Sequence, residues 1–356
     1  MTDFVVKMLA YESGMKRALG SRFHAPDIVE RRERMAESAF LFLRATCWRW
    51  AEYAGALCPD LMSLPPVPSV GDAHAGNYAL WRDDQARLVW GLSDYDEAAR
   101  LPFALDLVRL CSSVKLMYRR AKARAICDAA LTGYRAGLAA PAPFVLERDN
   151  LWLRSAFSAS NAKRTDFWAE LAAAPTTRPD TEFTALLRAA LPDPDLKVRF
   201  ARRSAGTGSL GRARFTAYGE YRGGPVAVEV KAALPSCWPI GGEPGLAQRM
   251  ATGAARSPDP NLTYGASAVV RRLAPNSRKI DFAKVDKRLH VRVVAAMAHE
   301  LATVHAETPA LRARLGKALD ALPADWLIAA TRRVVEWTEQ EFTAYCRARA
   351  RGALDR

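Results

Sequence analysis

The sequence predicts an α+β chain of two lobes, a larger helical lobe and a small antiparallel β lobe inserted into it. Three observations carry this prediction: helically spaced apolar residues before about residue 195, a glycine-punctuated run of alternating residues from Lys197, and a return to helical spacing further on. The first part of the helical lobe is read as residues 1–195, the β lobe as 196–278 and the second helical part as 279–356. With 356 residues, 50% of them hydrophobic, such a chain buries a sizeable core without covalent staples.

From Ile28 to about Ala56, apolar residues recur near helical spacing with arginines between them, which predicts one long helix. The proline-rich PDLMSLPPVPSV breaks it. The stretch GDAHAGNYALWRDDQARLVWGLSDYDEA then reads as a loop followed by a hairpin, with strands YALW and LVWGLS around the polar turn RDDQ. Helical patterns run from about Phe103 to Ala139 and from about Thr181 to Leu191, separated by the loop-prone APAP and APTTRPD. From Lys197, KVRFARRSAGTGSLGRARFTAYGEYRGGPVAVEVKAAL predicts a small antiparallel sheet, and SAVVRRL a further strand. APNSRKIDF leads into a helix over RLHVRVVAAMAHELATVHAET, and helices rich in Trp, Arg and Glu close the chain.

A formal charge of +14 and a pI near 9.8 attract anions, whether ATP, an acidic substrate, nucleic acid or a membrane surface. The basic residues are spread through RRERM, YRRAKAR, VRFARRSAGTGSLGRAR and YCRARAR, and read as a solvated face. No apolar run approaches the roughly 18 residues of a spanning helix, so membrane insertion is not expected. The six cysteines are scattered without a C-x-x-C pair, which predicts reduced, buried thiols and a cytoplasmic protein. Trp48, Trp50 and Tyr53 lie near arginines, but no recognition-helix, zinc-finger or RNA-recognition signature accompanies them, so nucleic acid is not the expected partner.

The sharpest local feature is Asp72, followed five residues later by Asn77 and then by Asp94 at the end of the hairpin. Phosphoryl transfer needs a carboxylate to orient or deprotonate an acceptor hydroxyl and oxygen ligands that hold magnesium against phosphates. Asp72 supplies the first; Asn77 and Asp94, brought together by the hairpin, supply the second. The competing reading is that these are turn residues. Asp94, Asp96 and Glu97 repel one another unless a cation or solvent compensates, so they mark either a metal site or an exposed turn.

Gly206, Gly208 and Gly211, with Ser209 among them, form a G-x-G-x-x-G pattern. A dinucleotide site would need a helix after it, whereas the following residues read as strand, turn and strand, the arrangement in which a kinase loop folds over phosphates. The second of those strands carries Lys231, positioned either to contact phosphates or to pair with Glu229 on the same strand face. Asp106, in an apolar helix, is expected to accept hydrogen bonds from buried backbone or to pair with Arg109, as structural support for the loop. His24, His290, His299 and His305 lack zinc spacing and read as core or bracing residues; His74 either touches a phosphate or braces its loop.

On the pieces RMAESAFLFLRA, GDAHAGNY, SDYDEA, LPFALDLVRL, GTGSLGRARF, VEVKAALPS, VVRRLAPNSRKI and HELATVHA, the chain is similar to the bacterial family known as domain of unknown function 2252. In turn GDAHAGN, SDYD and ALDLVRL resemble the H-G-D-x-H-x-x-N, I-D-F and Y-D-L-A segments of aminoglycoside and choline phosphotransferases. The resemblance implies a protein-kinase-like bilobal fold, with Asp72 as catalytic aspartate, Asn77 and Asp94 as metal ligands and Asp106 as helix-borne support. The glycine-rich loop and lysine follow the catalytic loop instead of preceding it, as in a circular permutation. Val70 stands where the phosphotransferases place histidine, and Glu243 is the nearest glutamate for Lys231. The expected activity is ATP- and Mg2+-dependent phosphoryl transfer to a hydroxyl of a small molecule or protein, with nucleotidyl transfer and non-catalytic ATP binding as rivals. Lys231 is expected to face Asp94 across one cleft, within roughly 10 Å in a closed form.

Overall fold

The computed structural model describes residues 3–276 and 289–354, and the α+β class holds. The expected lobe boundary at residue 278 lies outside the described residues. Where one helix was expected from Ile28 to Ala56, the chain forms three, Ala25–Glu37, Ala39–Ala45 and Cys47–Leu57. The break has a local cause, because Ser38 adopts extended backbone and its hydroxyl accepts from Leu41 N at 3.2 Å, starting a new helix. Thr46, also non-helical, makes the second break.

A further helix, Asp3–Leu19, precedes these and packs on the last one, Trp326–Ala350, with the Phe4 and Tyr345 rings 5.8 Å apart. The expected hairpin is present as Tyr78–Arg82 and Leu88–Leu92, paired Tyr78 to Leu92, and Phe144–Val145 adds a short third strand. Pro66–Ser69, inside the proline-rich break, pairs antiparallel with Ala99–Pro102. Its alternate prolines leave enough donors for a two-stranded edge pairing.

The helical stretch expected from Phe103 to Ala139 is two helices, Phe103–Met117 and Ala123–Ala139. The first runs through the main core and is buried on nearly every side. The second crosses His290–His305 so closely that a Cβ on Gly133 would sit 1.9 Å from the Ala295 carbonyl oxygen, so only glycine fits there.

The sheet expected from Lys197 is a five-stranded antiparallel one, in the order Val198–Arg202, Arg214–Tyr221, Gly224–Ala232, Ala268–Leu273, Thr263–Tyr264. Its alternation divides the faces. Phe215, Val228 and Val230 pack against Phe183 and Leu187 of the Thr181–Ala189 helix, forming a second core. The other face carries Glu229, which is buried and accepts from Arg203 at 2.8 Å, from Arg271 at 2.9 Å and from Arg214. Burial alone would raise the Glu229 carboxyl, but Arg214, Arg271 and Arg203 outweigh it and hold it well below the usual carboxylate range.

Glu229→Gln therefore leaves three guanidiniums around an uncharged group and costs roughly 3–5 kcal/mol in urea unfolding at neutral pH. Because the folded-state value is depressed, the gap to wild type is full above the ordinary glutamate value of 4.5 and narrows as the pH falls below it. An unchanged midpoint at pH 7 would contradict this placement of charge.

Candidate functional site

The loop from Val70 to Asn77 is fixed from beneath by Asp106, which is buried on the Phe103–Met117 helix. Its carboxylate accepts from Val70 N at 2.7 Å and Gly71 N at 3.1 Å, with His305 Nε2 3.1 Å away. Tyr134 Oη lies 2.9 Å from His305 Nδ1. Asp106 can only accept, so the proton sits on Nε2 and Nδ1 accepts from the tyrosine. Asp106 thus takes the first of its two expected roles. Arg109, one turn on, does not pair with it but reaches Asp72 Oδ1 at 3.0 and 2.8 Å and donates to Leu43 O at 2.7 Å.

Gly71 has φ +73°, and a Cβ there would lie 2.0 Å from Glu97 O, so the turn into Asp72 requires glycine. His74 accepts from Gly76 N at 3.0 Å through Nδ1, which turns Nε2 toward Asp72 Oδ2 at 3.7 Å. The histidine braces the loop and faces the aspartate at once.

Asn77 joins the loop to the hairpin. Its Nδ2 donates to Asp94 O at 2.9 Å, and Ser93 N donates to Asn77 O at 3.1 Å. Since Nδ2 faces carbonyl oxygens, Oδ1 must point the other way, and it is buried without a partner among the described residues. Asp72, Asn77, Asp94, Asp96 and Glu97 line one cleft with Gly206, Gly208 and Ser209.

Lys231 meets Asp96 rather than Asp94: Nζ bonds Asp96 Oδ2, which also accepts from Arg212 Nη1 at 2.8 Å. Arg212 Nη2 continues to Glu97 Oε1 at 3.4 Å, and Glu97 Oε2 accepts from Cys237 N at 2.6 Å. Burial pushes the Glu97 carboxyl up, against the opposing pull of Arg212. The alternative Lys231–Glu229 pair is not made, because Glu229 is taken by arginines. Glu243 does not reach Lys231 either; it pairs with Arg100 and Arg249 at the surface.

The glycine-rich loop joins strands Val198–Arg202 and Arg214–Tyr221 through a single short turn, Thr207–Ser209, so no dinucleotide-type helix follows it. Gly211 lies outside the cleft lining; its carbonyl accepts from His24 N at 2.9 Å and its N–H faces Asp27 at 3.4 Å. Ser209 Oγ accepts from Arg214 Nη2 at 2.8 Å, tying the loop to the sheet.

Sequence reasoning missed Arg31, Arg44 and Arg212, which line the same cleft. RRERM and GRAR read as solvated, yet Arg31 is 2% and Arg212 4% exposed. The available signal was an arginine inside an otherwise apolar run, FLFLRA for Arg44.

Among the described residues, no group of three or more His, Cys, Asp or Glu is gathered around a metal position. Magnesium held between one amide oxygen, a carboxylate and the phosphates of a ligand needs no such cage. The orphaned Asn77 Oδ1, on a residue that lines the cleft together with Asp94, fits that donor set.

The fold and the site define an α+β protein in which a five-stranded sheet closes over an acidic loop and hairpin, with arginines between them. Residues 25–185 and 154–348 match the family described as "Uncharacterized protein conserved in bacteria (DUF2252)", and the chain belongs to it. No curated protein and no solved structure matches the chain. No helix among the described residues is long and apolar enough to cross a membrane, and the six cysteines are free thiols, four of them buried.

Asp106→Ala strands the Val70 N–H and the His305 Nε2 in the core, leaves Gly71 N–H only Ser69 Oγ at 3.3 Å, and lowers stability by about 3 kcal/mol in chemical denaturation. A change below about 0.5 kcal/mol, the size of an ordinary surface substitution, would show that the loop does not hang on this carboxylate.

Proposed function

We propose that this protein is an ATP- and magnesium-dependent phosphotransferase of protein-kinase-like, circularly permuted architecture, acting on a hydroxyl of a small molecule or protein. The observation that carries the reading is the meeting of Lys231 with Asp96, which lines one cleft with Asp72, Asn77 and Asp94. Lys231 and Asp96 are 135 residues apart in sequence. A lysine on the second strand after a glycine-rich loop, an aspartate and an asparagine five apart, and a second carboxylate after a hairpin are the parts that phosphoryl transfer uses. Their order along the chain is reversed; their grouping is kept.

Asp72, oriented by Arg109 through Oδ1, presents Oδ2 to the acceptor hydroxyl. The acceptor oxygen bonds to the γ-phosphorus as the bond from that phosphorus to the ADP oxygen breaks. The hydroxyl proton passes to Asp72, and ADP leaves with the bond's electron pair. Asn77 and Asp94 would hold magnesium, which supplies neutralisation of phosphate charge. Asp96 holds Lys231 in the cleft as the helix glutamate does in kinases, so a missing glutamate is no obstacle to turnover. The glycine-rich loop packs closely on Arg44, since a Cβ at Gly208 would meet Arg44 O at 2.9 Å.

Asp72→Asn abolishes transfer of label from γ-labelled ATP, by at least about a hundredfold, while ATP binding persists. The wild-type product gains the mass of a phosphoryl group. An acceptor gaining AMP instead would establish nucleotidyl transfer, and an undiminished rate in Asp72→Asn would remove the aspartate from the chemistry.

A further inference from the structure

Three guanidiniums converge on the cleft from three parts of the chain: Arg31 from the Ala25–Glu37 helix, Arg44 from Ala39–Ala45, and Arg212 from just beyond the glycine-rich loop. Each keeps a buried N–H without an acceptor among the described residues, at Arg31 Nη1, Arg44 Nε and Arg212 Nε. A guanidinium has five donors and cannot shed its charge, so a buried one short of acceptors is costly unless an anion completes it. Arg212 donates to Asp96 through Nη1 and to Glu97 through Nη2, and Arg31 donates to Ala45 O with its guanidinium 5.2 Å from the Tyr11 ring centroid. Among the described residues, Arg31 bonds the Ala45 carbonyl, and no carboxylate is paired with Arg31 or Arg44.

Arg44 stands at the junction of the two loops. A Cβ on Gly76, in the acidic loop, would lie 3.4 Å from its guanidinium carbon, and one on Gly208, in the glycine-rich loop, would lie 2.9 Å from its carbonyl. Burial pushes the Arg44 guanidinium below its ordinary value, against the opposing pull of nearby Asp72 and Asp94. A group transferred between a nucleotide under the glycine-rich loop and an acceptor at Asp72 passes this point.

We infer that Arg31, Arg44 and Arg212 form an oxyanion cradle for the phosphoryl group in flight, with Arg44 as an arginine finger supplied by the same chain. The inference rests on the phosphotransferase reading for its catalytic consequence, but the anion site itself does not need it. Phosphoryl oxygens accept from flat, forked donors better than from a lysine point charge. Lys231 is in any case engaged by Asp96. The cradle therefore supplies charge that the lysine alone does not.

Titration calorimetry of inorganic pyrophosphate into the full chain tests the site, with Arg44→Gln as the variant and exposed Arg17→Gln as a charge-matched control. Saturable binding is expected in wild type and Arg17→Gln, weakened at least tenfold in Arg44→Gln, with melting curves showing all three folded. Equal binding in Arg44→Gln, or none in wild type, overturns the cradle. With ATP and magnesium, Arg44→Gln should lower kcat by about 10³ or more, the scale of a lost arginine finger, with KM for ATP changed far less. Undiminished kcat would remove Arg44 while leaving the phosphotransferase reading intact. Pyrophosphate binding that depends on Arg44, without any ATP-dependent transfer, would keep the anion site and remove that reading.

Discussion

A buried carboxylate ties the hairpin to the five-stranded sheet. Asp96, at the end of the hairpin, is bonded by Lys231 from the third strand of the sheet and by Arg212 from the start of the second. The three side chains are 12%, 9% and 4% exposed, so the contact is shielded from solvent and from salt. A buried pair adds little net stability over an apolar contact, but removal of one partner leaves an uncompensated charge. Its effect here is to set register. With Asp96 fixed, the glycine-rich loop lies over Asp72 and Asn77, and Glu97 anchors the segment after Lys231 through Cys237 N.

The same logic of buried charge recurs through the structure. Asp106 holds the acidic loop from below, and Glu229 gathers three arginines on the cleft-side face of the sheet. Arg49, 2% exposed in its side chain, is satisfied by Asp3, Glu52 and Glu341. A minority of the basic side chains, Arg31, Arg49, Arg109, Arg212, Arg214 and Lys231, is therefore spent inside, on internal carboxylates and on the cleft, while most of the others face solvent in whole or in part. Arginine suits this use because it stays charged when buried and offers several donors in fixed geometry.

The local grammar of the sequence was informative where the causes were local. Alternation and glycines located the sheet, the polar turn RDDQ located the hairpin, and the five-residue spacing from Asp72 to Asn77 located the loop. Boundaries failed where one capping side chain decided them, as at Ser38 within a continuous apolar pattern. Partners were illegible for a different reason. Asp96 was legible as part of an acidic cluster, but its pairing with Lys231 depends on how a hairpin and a sheet dock. Arg44 and Arg31 were hidden because a pattern that counts charge as exposure cannot distinguish a solvated arginine from one facing a cleft.

The most direct measurement is thermal unfolding of the full chain in the presence of each nucleotide, with and without magnesium. ATP together with magnesium should stabilise the chain by about 2.7 kcal/mol at a concentration a hundred times its dissociation constant, and either one alone by much less. A transition indifferent to every nucleotide, in both conditions, would contradict a phosphotransferase cleft built from Asp72, Asn77, Asp94 and Lys231.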